Sequence, residues 1–325
     1  MATGDDEYNE EALALLSLAA LRGIGQVTLS RLANSGRKLA HFFDEERGEV
    51  VLEALRSAGA RLESEQLSAP WKETRKKLQH RAHALFEQLR EQGVEIIFRS
   101  SHSYPVALLD LPDAPPWLFV QGNAQVLSEP SIAAVGTREP DEDGLWLARY
   151  VGLSTASWRC PTVSGLALGI DQQVHQGSVD QGQPTIAVLG TGILSDYPKN
   201  ARELRERIIG GGGAIITEYL PNESYSAQNF VQRNRIQAAL ASALIPVQWK
   251  EKSGTAHTVR FAAALGRPIF SLRLPHWRTS VKLPPRAYGQ TFTIPGDELA
   301  LGEAISQTLA GVSVAPSPQR DLFGS

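Results

Sequence analysis

The chain has 325 residues, of which 42% are hydrophobic and 21% charged, a composition typical of globular proteins with a hydrophobic core. Its formal net charge of −3 excludes a protein that coats nucleic acid through bulk positive charge, although a local basic groove stays open. No apolar run approaches the roughly 18 to 20 residues that a membrane span requires.

The compartment can be inferred from the N-terminus and the cysteine usage. Acidic residues precede the first basic residue, which is the opposite of a secretory signal. The single cysteine, Cys160, excludes an internal disulfide and a cysteine-rich zinc site. We therefore expect a cytoplasmic protein with no metal and no membrane partner.

Residues 1–92 predict a small helical domain, with helices at 11–21, 27–33 and 70–92. Gly23 and Gly25 lie in the turn between the first and second helices, and this arrangement resembles a helix-hairpin-helix. The exposed amides of such a turn can contact a phosphate. The same glycines can equally serve only to cap and turn a helical bundle, and the sequence leaves both readings open.

Residues 93–274 alternate short apolar runs with helical segments, the pattern of a parallel α/β sheet. Strands are predicted at 94–98, up to 120, and at 132–135, 162–163, 185–189, 214–217, 243–247 and 268–272. Helices are predicted at 143–156, 171–181, 201–209, 231–241 and 256–265. The fold class is therefore α/β, a Rossmann-like, doubly wound and mostly parallel sheet. Residues 275–325 are a divergent C-terminal segment with a strand at 291–294, a helix at 297–309 and a disordered end.

Four predicted strands end in loops of small residues, at 136–138, 164–169, 190–192 and 253–255. Ligands of open parallel sheets bind beyond the carboxyl ends of the strands, where small residues and helix N-termini favour phosphates. The first loop, Gly136-Thr-Arg-Glu-Pro-Asp, is not a dinucleotide fingerprint, and no Gly-Lys-Ser/Thr motif is present. We therefore expect an anionic ligand but no cofactor.

These loops resemble the successive motifs of the DprA/Smf DNA-processing family, which is related to the lonely-guy superfamily. The matching segments are Ala134-Val-Gly-Thr-Arg138, Val163-Ser-Gly-Leu-Ala-Leu-Gly-Ile-Asp171 with His175, Ile186-Ala-Val-Leu-Gly190 with Tyr197-Pro198 and Asn200, Phe230-Val-Gln-Arg-Asn-Arg-Ile236, and Ser253-Gly-Thr255 followed by 262–270. Their order and spacing match across roughly residues 104–272, about half of the chain. The small helical module in front of them is also usual in that family.

The resemblance implies a protein that binds single-stranded DNA as a homodimer, without catalysing a reaction. It further implies that the protein protects this DNA and loads a RecA-type recombinase onto it during natural transformation.

The residues expected to bind DNA and phosphate combine cations, hydroxyls and backbone donors: Gly136, Thr137, Arg138, Ser164, Gly165, Gly169, Gly190, Lys199, Arg233, Asn234, Arg235, Ser253, Gly254 and Thr255. Arg138 lies just past a strand end, where its guanidinium can pair with a phosphate. Arg233 and Arg235 lie at a predicted helix start and could hold the strand on both sides. One of these two could instead be structural, paired with a carboxylate such as Glu218.

Four other residues have two readings. Tyr197 and Phe230 could stack on bases or belong to the core. Asp171 and His175, four apart on one helix, could suggest metal or acid–base chemistry. With no further ligand nearby in the sequence, a helix-capping Asp171 and a packed His175 are the simpler explanation. We therefore expect no metal and no catalytic residue.

The chain departs from the family pattern at two segments. Gln248-Trp249 replaces a Glu-Ala pair, and Pro275-His-Trp-Arg278 stands in place of a segment rich in glycine and asparagine. The C-terminal winged helix of many members is not recognisable either. These departures weaken the inference to recombinase loading more than the inference to DNA binding. They leave open a nucleotide-sensing or protein-binding regulator, for example one with an operon-encoded partner in phage defence or a toxin–antitoxin system.

Whether the chain could be a hydrolase can be assessed from one residue. Phosphoribohydrolases of the lonely-guy type carry Pro-Gly-Gly-x-Gly-Thr-x-x-Glu, and Thr258 stands here where their glutamate would be. A threonine cannot act as that carboxylate, so we do not expect hydrolysis. A purely protein-binding role would instead be favoured by an Arg138 buried in a salt bridge.

Overall fold

The computed structural model describes residues 4–44, 47–62, 70–278 and 281–311, so the predicted disordered C-terminal end lies outside the described residues. The chain forms two compact units. The first takes in the described residues up to Ser101, together with 115–119 and 218–220. The second takes in the remainder.

The first unit is helical, with α1 (Gly4–Ala19), α2 (Gln26–Ala33), α3 (His41–Asp44), α4 (Gly48–Ser57) and α5 (Trp71–Glu91). Strand β1 (Val94–Phe98) and the first half of β2 (Trp117–Gly122) also belong to it. Its core is built from leucines that the solvent does not reach, among them Leu15, Leu18, Leu29 and Leu55. None of the helices within the described ranges is long and apolar enough to cross a bilayer.

The glycine turn between α1 and α2 has a local structural role. Gly23 adopts a φ of +82°, which a residue with a side chain rarely adopts, and its carbonyl accepts a hydrogen bond from the amide of Arg61 at 3.0 Å. A Cβ at this position would collide with the Arg61 carbonyl. These contacts explain the glycine as part of the packing of the helical unit.

The second unit contains the parallel sheet. Its strands are β3 (Ile132–Val135), β4 (Thr162–Ser164), β5 (Thr185–Val188), β6 (Ala214–Thr217), β7 (Ala243–Pro246), β8 (Ile269–Arg273) and β9 (Gly289–Thr293). Its helices are α6 (Glu142–Trp158), α7 (Ile170–Asp180), α8 (Arg202–Gly210), α9 (Ala227–Leu240), α10 (Gly254–Ala264) and α11 (Glu298–Leu309). Strand pairs from β3 to β9 are parallel, which confirms the predicted Rossmann-like fold class.

The order of the strands reverses once. These strands lie in the order β6-β5-β4-β3-β7-β8-β9, so the chain runs from β3 towards β6 and then returns to the other side of β3 with β7. At such a switch point the two loops that follow the central strands diverge and leave a crevice. Here the amide of Thr137, after β3, donates to the carbonyl of Gln248, after β7, at 2.8 Å.

The divergent C-terminal segment is part of this unit up to residue 311. Strand β9 pairs in parallel with β8 along its whole length, from Gly289 to Thr293. Phe292, Ile294, Leu301 and Ile305 are buried in the same core as Phe270. This segment therefore extends the sheet and covers its core.

Candidate functional site

A cavity of about 370 Å³ lies at the switch point, and we call it the switch-point cavity. It is lined by the loop after β3, the start of α7, one face of α9 and the start of α10. Nine residues predicted for the DNA site line it: Gly136, Thr137, Arg138, Phe230, Arg233, Asn234, Ser253, Gly254 and Thr255.

Helix α9 contributes more lining residues to this cavity than any other element. Phe230, Arg233, Asn234 and Gln237 are spaced at i, i+3, i+4 and i+7, which places them on one side of the helix. The predicted start of this helix at residue 231 is wrong, because the Ser226 hydroxyl accepts the amide of Asn229 and caps a helix that begins at Ala227. Arg233 and Arg235 therefore lie in the second and third turns and not at a helix start.

Arg138 occupies the rim of the cavity. Its side chain is exposed, and the guanidinium carbon lies 4.5 Å from the centroid of the Phe230 ring. This is a cation–π distance, so the ring orients the cation without neutralising it. The guanidinium edges keep their hydrogen-bonding capacity towards an anion such as a phosphate.

The N-terminus of α10 supplies backbone donors to the same cavity. Its N-cap residue, Ser253, makes no side-chain capping bond, and the hydroxyl donates to the Lys250 carbonyl at 2.6 Å. The side chain of Asn234 donates to the Gly254 carbonyl at 3.1 Å and holds the helix start against α9. In the first turn the Ala256 amide donates to the Ser253 carbonyl at 3.1 Å, whereas the amides of Gly254 and Thr255 precede the regular helical hydrogen bonds, and the helix dipole favours an anion there.

Gln237 adds a buried donor. It is 1% exposed and lines the cavity, and its Nε2 makes no hydrogen bond within the described residues. A buried amide without a partner costs about 1 to 3 kcal/mol, so an acceptor in this cavity would be favoured.

Arg233 fastens α9 to the ends of two strands. Its guanidinium is 4% exposed and donates to the carbonyl of Gly165 at 2.8 Å, to the carbonyl of Val188, and to Asn234 Oδ1 at 2.9 Å. The Gly165 carbonyl directly follows β4, and the Val188 carbonyl belongs to the last residue of β5. Arg233 therefore acts first as a positioning residue and lines the cavity from a fixed place.

Asp171 is the buried carboxylate beside it, with one oxygen 3.9 Å from Arg233 Nη2. It accepts the amides of Gly136 and Ala167, so it joins the two loops and does not cap its own helix. Burial raises the pKa of this carboxyl, and the Arg233 guanidinium opposes that rise.

His175 is a packed residue, as expected. It is fully buried, its Nδ1 lies 2.7 Å from the Thr185 hydroxyl, and burial lowers its pKa to about 3. Across the described part of the chain, no group of three or more His, Cys, Asp or Glu residues is arranged to hold a metal.

Two further predicted residues have partners outside the cavity. Arg235 is 4% exposed, and its guanidinium binds Asp113 through Oδ2 at 2.8 Å and through the carbonyl at 3.0 Å. Both arginines of the motif therefore meet carboxylates, Asp171 for Arg233 and Asp113 for Arg235. The hydroxyl of Ser164 is buried and donates to the Ala134 carbonyl at 2.6 Å. These groups are occupied within the protein, and a role in direct DNA contact would require them to be released.

Three predicted glycines make room for protein groups. A Cβ at Gly165 would overlap the Arg233 guanidinium, and a Cβ at Gly190 would lie 2.6 Å from the Phe230 ring. Gly169 has a φ of +83°, and its Cβ would lie 2.6 Å from the Thr137 carbonyl. None of the three lines the switch-point cavity. The small residues that the sequence associates with a phosphate thus also allow the loops and α9 to pack closely.

An aromatic row extends from the cavity. It consists of Phe230, Tyr197 and Tyr225, with ring centroids 5.4 Å apart for Phe230 and Tyr197 and 4.9 Å apart for Tyr197 and Tyr225. Tyr225 is 62% exposed, and exposed Lys199 lies two residues after Tyr197. Sequence reasoning missed Tyr225, although an aromatic residue in the polar loop just before the α9 cap was a usable signal.

The fold and this site define the protein as a Rossmann-like protein with its candidate ligand site at the switch point. Comparison with known proteins then makes the family plain. The chain belongs to the family described as DNA recombination-mediator protein A, whose model matches residues 95–283.

Curated relatives agree with this assignment. The chain is 37% identical over 171 residues to the DNA processing protein DprA of Streptococcus pneumoniae, a match that covers 52% of this chain and 59% of that protein. It is 34% identical over 184 residues to DprA of Bacillus subtilis, covering 56% and 62%. The chain thus spans about three fifths of the length of these relatives.

Solved structures share the fold. The structure of DprA from Streptococcus pneumoniae superposes with a TM-score of 0.60 and 25% identity, covering 95% of each chain. A structure of DprA from Helicobacter pylori, described for its single-stranded DNA binding mode, superposes with a TM-score of 0.55 at 23% identity, covering 68% of this chain and 97% of that one.

The buried Arg233–Asp171 pair can be tested by unfolding. We expect Arg233→Met to lower the free energy of unfolding by about 3 to 5 kcal/mol, because it leaves a buried carboxyl without its cation. Without Arg233, the folded-state pKa of Asp171 lies further above the unfolded value, so stability falls as the pH rises above about 4. Urea denaturation across this pH range measures both effects.

Two further variants control this experiment. Asp171→Asn in the Arg233→Met background should remove the added pH dependence, and Arg202→Met, on an exposed arginine, should leave stability nearly unchanged. A stability of Arg233→Met equal to wild type at every pH would contradict the positioning role.

Proposed function

We propose that this protein binds single-stranded DNA, with the sugar-phosphate backbone at the switch-point cavity and the bases along the aromatic row. The observation that carries the proposal is the exposed Arg138 guanidinium stacked on Phe230, because this pair joins the phosphate-binding groups to the first ring of the row. The amides of Gly254 and Thr255 at the start of α10 and the side-chain amide of Gln237 would supply further donors to the same anion.

The aromatic row favours a single strand over a duplex. Bases can stack on aromatic faces only when they are unpaired, and such stacking tolerates any sequence. Tyr225 is an exposed residue that stacks on Tyr197, and Tyr197 in turn contacts Phe230. A duplex would present its backbone to this surface but keep its base faces stacked within the helix.

Family membership supports a role in DNA processing. The relatives named above are DNA processing proteins, and the DprA of Helicobacter pylori binds single-stranded DNA. By extension, this protein would act in the cytoplasm as a homodimer, protect the strand, and hand it to a RecA-type recombinase during natural transformation.

The proposed function involves binding without catalysis. Thr258 lines the cavity at 1% exposure, at the position where the related phosphoribohydrolases place a glutamate. The cavity carboxylate, Asp171, is committed to Arg233 and two amides. The alternative of a purely protein-binding regulator would be favoured by a buried Arg138, and this residue is exposed.

Arg138→Ala should weaken binding of a labelled single-stranded oligonucleotide by about 10- to 100-fold, the cost of losing a hydrogen-bonded charge. It should also reduce the slope of log affinity against log salt concentration by about 0.7, which corresponds to one lost phosphate contact. Fluorescence anisotropy at several salt concentrations, with a duplex of equal length as reference, measures both. Arg202→Ala, on another exposed arginine, is the matched control; an equal loss in both variants would argue against a specific Arg138 contact.

Tyr225→Ala tests the stacking role separately. Because each stacked base contributes about 1 to 3 kcal/mol, we expect about 5- to 100-fold weaker binding with an unchanged salt slope. Tyr225→Phe keeps the ring and should bind like wild type. Trp146→Ala removes an exposed aromatic residue of α6, which stacks on Tyr150, and should have no effect. Wild-type affinity in Tyr225→Ala would exclude the outer end of the row from the DNA path.

A further inference from the structure

A second and larger cavity lies beyond the ends of β7 and β8. Its volume is about 970 Å³, at the upper end of the range usual for small-molecule sites. Three aromatic residues line it, Trp249, Trp277 and Tyr288, together with the basic residues Arg273, Arg278 and Lys282. Among the described residues that line this cavity, none carries a carboxylate.

Both departures from the family pattern meet in this cavity. Gln248 and Trp249 reach it from the end of β7, and His276, Trp277 and Arg278 reach it from the segment after β8. The two segments are more than twenty residues apart in the chain, so the sequence gives no sign that they converge. Residues of the two departing segments therefore line one cavity.

The orientation of Trp277 is set by hydrogen bonding. Its indole N–H donates to Asp143 Oδ2 at 2.7 Å, and His276 Nε2 lies 2.7 Å from the same oxygen. These two hydrogen bonds lower the pKa of Asp143, which keeps it an acceptor. The rest of the Trp277 ring packs against the core of the unit. The ring is thus held in place before any ligand arrives.

We propose that this cavity binds a nucleotide unit, with the base against Trp249 and Trp277 and the phosphate on Arg273, Arg278 and Lys282. Aromatic faces accept any base, and cations without competing carboxylates favour a phosphate. The cavity lies next to the proposed DNA site, because Gln248 lines it and the Gln248 carbonyl accepts the amide of Thr137, which lines the switch-point cavity.

Two ligands could supply this base and phosphate: the continuation of a DNA strand bound at the switch-point cavity, or a free mononucleotide. The first ligand rests on the function proposed above, and the second does not. In the first case the protein would bind a longer stretch of DNA than the aromatic row alone. In the second case a free nucleotide would occupy a site next to the DNA path.

The experiment uses the full chain and two cavity variants, Trp249→Leu and Arg278→Ala. Arg278 is exposed, so its variant tests the site even where loss of the half-buried Trp249 affects folding. Arg286→Ala, an exposed arginine of the same segment that does not line the cavity, is the control. Calorimetric titration with dTMP and dAMP forms one arm. Anisotropy with oligothymidylates of increasing length forms the other.

We expect about tenfold weaker nucleotide binding in both cavity variants and no change in affinity in Arg286→Ala. A loss seen with mononucleotides identifies a free nucleotide as the ligand. If mononucleotide binding is unaffected but the affinity of the variants no longer rises with oligothymidylate length as it does in wild type, the ligand is the continuing DNA strand. If wild type binds oligothymidylates and both variants match it in both arms, the nucleotide site is refuted while the proposed function stands. If wild type binds no oligothymidylate, the proposed function fails, and the mononucleotide arm alone decides for or against the cavity.

Discussion

The buried guanidinium of Arg233 is the interaction on which the candidate site depends. It satisfies carbonyls at the ends of β4 and β5 and thereby fixes α9 across the carboxyl edge of the sheet. Phe230 and Asn234 lie on the same helix face as Arg233. The position of α9 therefore sets where the Phe230 ring meets Arg138 and where Asn234 binds the Gly254 carbonyl at the start of α10. A buried charge is costly unless it is fully hydrogen-bonded. Gly165 leaves the space that the guanidinium needs, because a Cβ at that position would overlap it.

Much of the fold can be predicted from the sequence, because buried parallel strands read as short apolar runs between helices. The loops that line the switch-point cavity follow from the same pattern, since the carboxyl ends of parallel strands share one edge. The start of α9 was misplaced because residues 227–229 are polar or small and show no apolar period. Partners distant in the chain are not encoded locally, so the pairing of Arg235 with Asp113, more than a hundred residues away, could not be predicted.

The two cavities differ in how the segments that line them relate to the family resemblance. The switch-point cavity is built from motifs that the chain has in common with its family, and its central contacts are backbone carbonyls, amides and one arginine. The cavity beyond β7 and β8 includes Trp249, Trp277 and Arg278, which lie in the two segments that depart from the family resemblance. Gln248 takes part in both, through its carbonyl on one side and as a lining residue on the other. The two cavities thus lie side by side at one edge of the sheet.

The central claim, that single-stranded DNA contacts the switch-point cavity and the aromatic row, is tested most directly by amide hydrogen exchange with and without an oligothymidylate. The account predicts slower exchange at 136–138, at 225–237 and at the start of α10, because bound phosphates and stacked bases protect these amides and their neighbours. Protection confined to the helical unit, with these three segments exchanging as in the free protein, would contradict it.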